Sequence, residues 1–160
     1  MDPENAEVLK KLDGEDRSKE NAVLMQALLA DRFRMKAHIE VKVLPVYNLV
    51  IAKGGLKMKE AAPDQPSGWS MGMGNIKGQG MLIASLVGSL SHPAGRLIID
   101  KTGLTGKYQV NLTWAWDDNP NSTGPSLFTA LEEQLGLKLE PAKAPVDVVV
   151  IDHLERPSEN

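Results

Sequence analysis

The sequence predicts an α+β fold: a two-layer sandwich built from three helix–strand–strand units packed on a mainly antiparallel sheet. Three observations predict it. A unit of one amphipathic helix followed by two strands recurs at about residues 21–52, 81–116 and 125–153. The first and third copies align at Ala27-Leu28 with Ala130-Leu131, Met35-Lys36 with Leu137-Lys138, and Pro45-Val46 with Pro145-Val146. In the first two units the apolar period also switches from helical to two, and helices with one apolar stripe bury it against a sheet face.

The elements follow in order. Residues 1–17 read as a flexible segment, and Ser18 is placed to cap the first helix, whose stripe is Leu24, Ala27 and Leu28. From Phe33 the chain alternates. Phe33, Met35, Ala37, Ile39, Val41 and Val43 face one way, and Arg34, Lys36, His38, Glu40 and Lys42 the other. That pattern predicts a strand with one face in a core and one in water. Leu44-Pro45 marks a turn, Val46 to Ala52 returns as a second strand, and Gly54-Gly55 ends it. A polar connector with Pro63 and Pro66 leads to the glycine-rich run 68–80, read as an irregular strand or a loop.

Met81 to Leu90 is a buried helix, with Leu82, Ile83, Leu86, Val87 and Leu90 on one side and His92-Pro93 and Gly95 as its stop. Leu97-Ile98-Ile99 is a short core strand. Gly103 and Gly106 shape a tight connection in which at least one needs positive φ. Tyr108, Val110, Leu112, Trp114 and Trp116 then form one face of a second alternating strand. Asp117 to Thr123 is a polar loop. Pro125 opens a third helix with core face Leu127, Phe128, Leu131 and Leu135, and Gly136 closes it. Leu137 to Glu140 and Val146 to Asp152 read as the last hairpin. One domain spans 18–155, with sub-units 18–62 and 68–155, and 156–160 is a flexible tail.

Composition narrows the function classes. The 160 residues suffice for a self-supporting core. A net charge of −3 gives no electrostatic footprint for nucleic acid. Cysteine is absent, which excludes disulfides, thiol catalysis and thiolate metal sites. No run of 18 apolar residues exists to span a membrane, and residues 1–20 lack the basic-then-apolar order of a signal peptide. Composition alone leaves two readings: a cytoplasmic protein, or a piece whose export signal lies upstream of Met1.

No reaction-defining motif appears. His38, His92 and His153 share no ligand-like spacing, so no metal is expected. The run from Gly68 to Gly78 lacks the third glycine of a dinucleotide fingerprint, and Gly103 to Tyr108 is too short for a phosphate loop, so no cofactor is expected. Asp100, Asp152 and His153 lie near strand ends and are the residues a hydrolase would use, without a nucleophile elbow to serve. Asn111-Leu112-Thr113 and Asn121-Ser122-Thr123 match the glycosylation acceptor pattern. The candidate partner-binding residues are Arg34, Lys36, His38, Glu40 and Lys42, along a strand whose edge can stay open. Trp114 and Trp116 join them, where a tryptophan reaches the rim of the domain.

Several long segments carry a resemblance. Leu28 to Phe33, Leu44 to Val50, Ala52 to Gly55, Ile99 to Tyr108, Gly124 to Glu140 and Val150 to His153 are similar to an uncharacterised, soil-associated bacterial family, itself a domain of unknown function. The resemblance spans about residues 21–159. It implies an exported protein, with a signal peptide and further sequence upstream, and some relatives fused to membrane-bound sensor metallopeptidases. It supplies no catalytic residues. The second half, 81–152, also resembles the short N-terminal domain of secretins and TonB-dependent receptors, a periplasmic protein-interaction module. The expected function is a non-enzymatic, extracytoplasmic module that binds a protein or envelope ligand. A hydrolase and an envelope carbohydrate-binding or structural module are the alternatives.

Overall fold

A computed structural model of the chain describes residues 14–62, 64–116 and 124–156, the side chains of 14–19 apart. Expectations for residues 1–13, for the loop 117–123 with its Asn121 acceptor, and for the tail 157–160 lie outside the described residues. The fold is α+β, with one mixed sheet, one antiparallel sheet and no closed barrel. Its elements are α1 (Gly14–Phe33), β1 (Lys36–Ile51), β2 (Lys59–Glu60), β3 (Gly68–Gly72), β4 (Asn75–Leu82), α2 (Ile83–Ser91), β5 (Ile98–Asp100), β6 (Lys107–Thr113), α3 (Leu127–Ala130) and β7 (Leu137–His153). A π-helical turn, Leu131–Leu135, continues α3. The mixed sheet runs β5-β1-β7 and the antiparallel one β2-β6-β4-β3.

The chain divides into two compact units, residues 43–145, and residues 1–42 with 146–160. Strands β1 and β7 each contribute to both.

Residues 43–145 hold the hydrophobic core. Strand β6 alternates as its sequence demands, with Tyr108, Val110 and Leu112 buried and Lys107, Gln109, Asn111 and Thr113 exposed. Against the buried face lie Ile83, Leu86 and Leu90 of α2, and Leu127, Ala130, Leu131 and Leu135 of the third helix. Ser126 caps that helix, its Oγ accepting the Thr129 N–H. Gly136 ends it in the left-handed region at φ 67. The glycine-rich run is not a loop but two strands, irregular where the register of β4 against β6 shifts between Gly78 and Met81. It is a hairpin in which β3 pairs with β4 from Gly68↔Gln79 to Gly72↔Asn75, closed by Met73-Gly74 with Gly74 at φ 76.

Two expected turns are absent. β1 runs straight through Leu44-Pro45, read as a turn, and β7 straight through 141–145, the expected connection of the last hairpin. Leu44-Pro45 and 141–145 offer no residue suited to the positive φ that a tight hairpin needs, whereas proline's own φ fits an extended strand. Pro45 also falls where its missing N–H costs no hydrogen bond. Tyr47 N–H and Leu49 C=O point to the β5 side, and two residues earlier the same side lies beyond β5, which pairs only with Tyr47, Asn48 and Leu49.

Residues 1–42 and 146–160 supply α1, the first part of β1 and the end of β7. Helix α1 is followed by Arg34 at φ 47, which turns the chain into β1. β7 runs back along β1, with Glu155 N–H bonded to Phe33 C=O. None of this unit's described side chains is buried. The expected stripe of α1 is only half covered at Leu24, and Leu28 is exposed. The alternation of β1 is present, but its apolar face is uncovered: Ile39 is 68% and Val41 67% exposed, beside Val149 and Ile151 of β7 at 66% and 56%. The expected core face is therefore a solvent face.

Candidate functional site

Of the five predicted residues, Arg34 precedes β1 and the other four lie on it, where His38, Glu40 and Lys42 hold one another. His38 spans the two strands, its Nδ1 2.8 Å from Asp152 Oδ2 and its Nε2 3.0 Å from Glu40 Oε1. Lys42 Nζ lies 3.0 Å from the other oxygen of Glu40. Asp152, His38, Glu40 and Lys42 thus form one ladder of alternating charge. The Asp152 hydrogen bond raises the His38 pKa, with Glu40 adding to it. Lys42 first, then His38, holds the Glu40 carboxyl below its usual range. Arg34 Nε meets Glu155 Oε2 at 3.4 Å, and His153 Nε2 meets Glu155 Oε1 at 2.9 Å. Glu155 is held low mainly by His153, with Arg34 contributing. These charged side chains stabilise the ribbon; Lys36 adds only a weaker coulombic attraction to Glu155, with no hydrogen bond or ion pair of its own among the described residues.

What remains available on β1 is backbone. β7 occupies one side, and β5 reaches the other only at Tyr47 to Leu49. Among the described residues, the β5-side edge of residues 36–44 faces no strand. Tyr47 N–H points to that side, so by the two-residue period the N–H groups of Val43, Val41 and Ile39 point there too.

The two tryptophans differ: Trp114 lies inside the core and Trp116 is half-buried at its edge. Trp114 is buried at 5% exposure as part of the core, because the inward face of β6 continues past its end. Trp116 packs partly buried against that core, 6.2 Å from Trp114 and stacked with His92 at 6.5 Å. The three line a pocket of about 290 Å³ with Phe128. Gly103 has φ 71, and a Cβ at Gly106 would meet the Tyr108 hydroxyl at 3.3 Å.

Each acid–base residue is held by its own partner. Asp100 accepts hydrogen bonds from Thr102 N–H and Oγ1 in a local turn, Asp152 is engaged by His38, and His153 by Glu155. Among the described residues no three His, Asp or Glu side chains gather as a metal site, and no helix is long and apolar enough to cross a membrane.

A cleft of about 770 Å³, lying within residues 43–145, was not anticipated. Its lining includes Lys57, Lys59, Lys77, Trp69, Gln79, Gln109, Asn111 and Gln134, and no carboxylate. Two of these are engaged. Lys57 Nζ donates to the Glu132 and Glu133 carbonyls at the end of the π-turn, and Gln134 both accepts from and donates to the Thr113 backbone. Gln109 and Asn111 were legible as the polar face of β6. Lys59 lies on a two-residue strand and Trp69 in the glycine-rich run, where no period marked a strand.

A family model described as "Protein of unknown function (DUF3738)" matches residues 2–154. No curated protein and no solved structure matches the chain.

Proposed function

The chain belongs to the DUF3738 family, and from that premise we propose that it is a non-enzymatic, extracytoplasmic interaction module that captures an extended segment of a protein partner by strand addition to β1. One observation carries the proposal: among the described residues, the β5-side edge of β1 over residues 36–44 faces no strand, while Ile39 and Val41 stand exposed on the same stretch. An open edge supplies unpaired N–H and C=O groups at strand spacing, and exposed β-branched side chains supply the apolar area that selects a partner strand. The non-enzymatic reading is supported by the engagement of Asp100, Asp152 and His153, each hydrogen-bonded to a partner of its own. Placement outside the cytoplasm rests on the resemblance to exported soil bacterial proteins and to the secretin and TonB-receptor module.

The test is photocrosslinking in the native host from a reactive residue placed at Ile39. A discrete protein adduct is expected, and Val41→Pro is expected to abolish it while leaving the circular dichroism spectrum unchanged. That substitution removes one edge-facing N–H and none from the β7 ladder. An equal adduct yield from the folded Val41→Pro protein rejects strand addition.

A further inference from the structure

We infer that this chain pairs with a second copy of itself through β3, in an antiparallel dimer whose twofold axis passes at Ser70. The inference is independent of edge capture by β1. Among the described residues β3 pairs with β4 alone, so its far side is open. The hydrogen-bond pattern fixes which of its groups face outward. Trp114 N–H donates to the Gly74 carbonyl, so the even-numbered residues of β6 direct their backbone groups at β4. Leu112 and Val110 lie opposite Ile76 and Gly78, which therefore bond to β6 and leave Asn75 and Lys77 to bond to β3. The β3 partners of these two are Gly72 and Ser70. Trp69 and Met71 are left with N–H and C=O groups that point away from the sheet.

The side chains follow the same alternation. Trp69 and Met71 lie opposite Gly78 and Ile76, on the face that carries the buried Val110 and Leu112, and at the sheet edge they are 51% and 39% exposed. Ser70 lies opposite Lys77 on the other face. By residue class the strand Gly-Trp-Ser-Met-Gly reads alike in both directions, with glycine outermost, a large apolar residue next and serine at the centre. A twofold axis at Ser70 maps that pattern onto itself, as a self-complementary contact demands. Trp69 then lies opposite Met71 of the second copy, and the two such pairs close four backbone hydrogen bonds. An axis at Trp69 or at Met71 would leave some of these outward groups facing residues beyond the strand. In each pair the indole and the thioether share a face, a favourable cross-strand contact. The two serines meet at the axis as a non-hydrogen-bonded pair, the closely spaced kind, where small side chains fit.

This edge is also unguarded. Edge strands that stay single are blunted by charge, proline or a bulge, and β3 has none of these along its regular pairing with β4. Lys77 stands one strand inside the edge, so in the dimer the two copies of it are three strand spacings, roughly 14 Å, apart at the backbone and screened by salt. An unrelated strand could also add to an open edge; the two-way symmetry of the sequence is what selects a second copy. The edge is short, and it buries less than the roughly 1,200 Å² of stable interfaces, so the expected dimer is weak and reversible.

The experiment is sedimentation equilibrium of the whole chain from about 10 μM to about 1 mM, the range that reads a weak dimer. The average mass should rise toward twice that of the monomer and stop there, because a twofold contact closes on itself. Met71→Pro removes an outward N–H and none from the β4 ladder. It should weaken dimerisation about tenfold or more, through the two hydrogen bonds lost per dimer. Trp69→Lys places a charge on the edge and should also weaken it. Unchanged dispersion of the amide spectrum will verify that each variant folds. Since the chain has no cysteine of its own, a single introduced one reports the axis. Ser70→Cys should oxidise to a disulfide-linked dimer, its two Cα atoms lying within disulfide reach, whereas Lys77→Cys stands too far from its copy to do so. A mass independent of concentration, growth beyond the dimer, undiminished association of either folded edge variant, or equal disulfide yields from the two cysteine variants overturns the inference.

Discussion

Leu131 has no exposed surface and sits where the third helix meets the sheet core. Truncation to alanine leaves a cavity that close-packed neighbours cannot fill, so Leu131→Ala should cost about 2–5 kcal/mol. Urea denaturation measures it, and an unchanged midpoint would show that the side chain is not packed. His38 makes the contrasting prediction at the surface. Its pKa lies above the ordinary 6.5 because the bond to Asp152, then that to Glu40, favours the charged ring. Its contribution to stability is therefore complete below 6.5 and is lost as pH rises through the raised value. Glu40 has the opposite sign: its lowered pKa gives stability that is present above its usual range and is lost as pH falls through the lowered value. The ladder is strongest in mildly acidic solution, where both are ionised. Asp152→Asn should move the His38 NMR titration midpoint down; an unmoved midpoint would mean that the bond is absent in solution. A histidine on the polar face of a strand reads from sequence as solvated. Its partner lies 114 residues away, and no local pattern reveals a cross-strand neighbour at that distance.

At the level of elements, alternation was a sound guide and proline was not. β6 buries the face its sequence marks as far as Trp114. The strands β1 and β7 also carry the predicted residues, but Leu44-Pro45 was read as a turn and 141–145 as the connection of a hairpin, when each lies within a continuous strand. Proline disfavours a central ladder yet suits an unpaired side, and which side is unpaired is a tertiary fact. Alternation likewise tells which residues share a face, not which face another element covers, and so Ile39 and Val41 were misassigned to a core. Glycines were more informative. Gly136 holds φ 67, and a Cβ there would run into the Gly55 carbonyl oxygen. Gly136→Ala should therefore destabilise by about 2 kcal/mol or more, from the left-handed backbone together with the steric conflict. Gly88 gives the matching control, since it is exposed within α2 with nothing near its missing Cβ. Gly88→Ala should stabilise by about 0.5–1 kcal/mol. Thermal melts of the two variants shifting in the same direction would contradict this account.

Across the whole molecule, the packed apolar residues are unevenly distributed. Every member of the buried cluster, from Leu49 to Leu139, belongs to residues 43–145. Among the described residues of 1–42 and 146–160 none is buried, and their cohesion is backbone pairing with exposed ion pairs. Exposed ion pairs stabilise by only about 0–1 kcal/mol each, against roughly 1.5–3 kcal/mol for each large apolar side chain fully buried. The sequence could not reveal this asymmetry, because the apolar residues of β1 and α1 look as core-forming as those of β6. Local stability should follow burial. In native-state hydrogen exchange, the amides of Tyr108, Val110 and Leu112 should exchange only through global opening. Those of α1 and of His38 to Lys42 should exchange through local opening, at free energies well below the global value. A strand added to the open edge of β1 would change that ordering by occupying the N–H groups of Ile39, Val41 and Val43. Their exchange should slow on partner capture, while that of the even-numbered amides facing β7 slows only by the general stabilisation that binding confers. Uniform slowing of odd and even positions would place the partner on the apolar face of the ribbon instead of its edge. Equal protection of both units in the free protein would show that the exposed ribbon is as stable as the packed core.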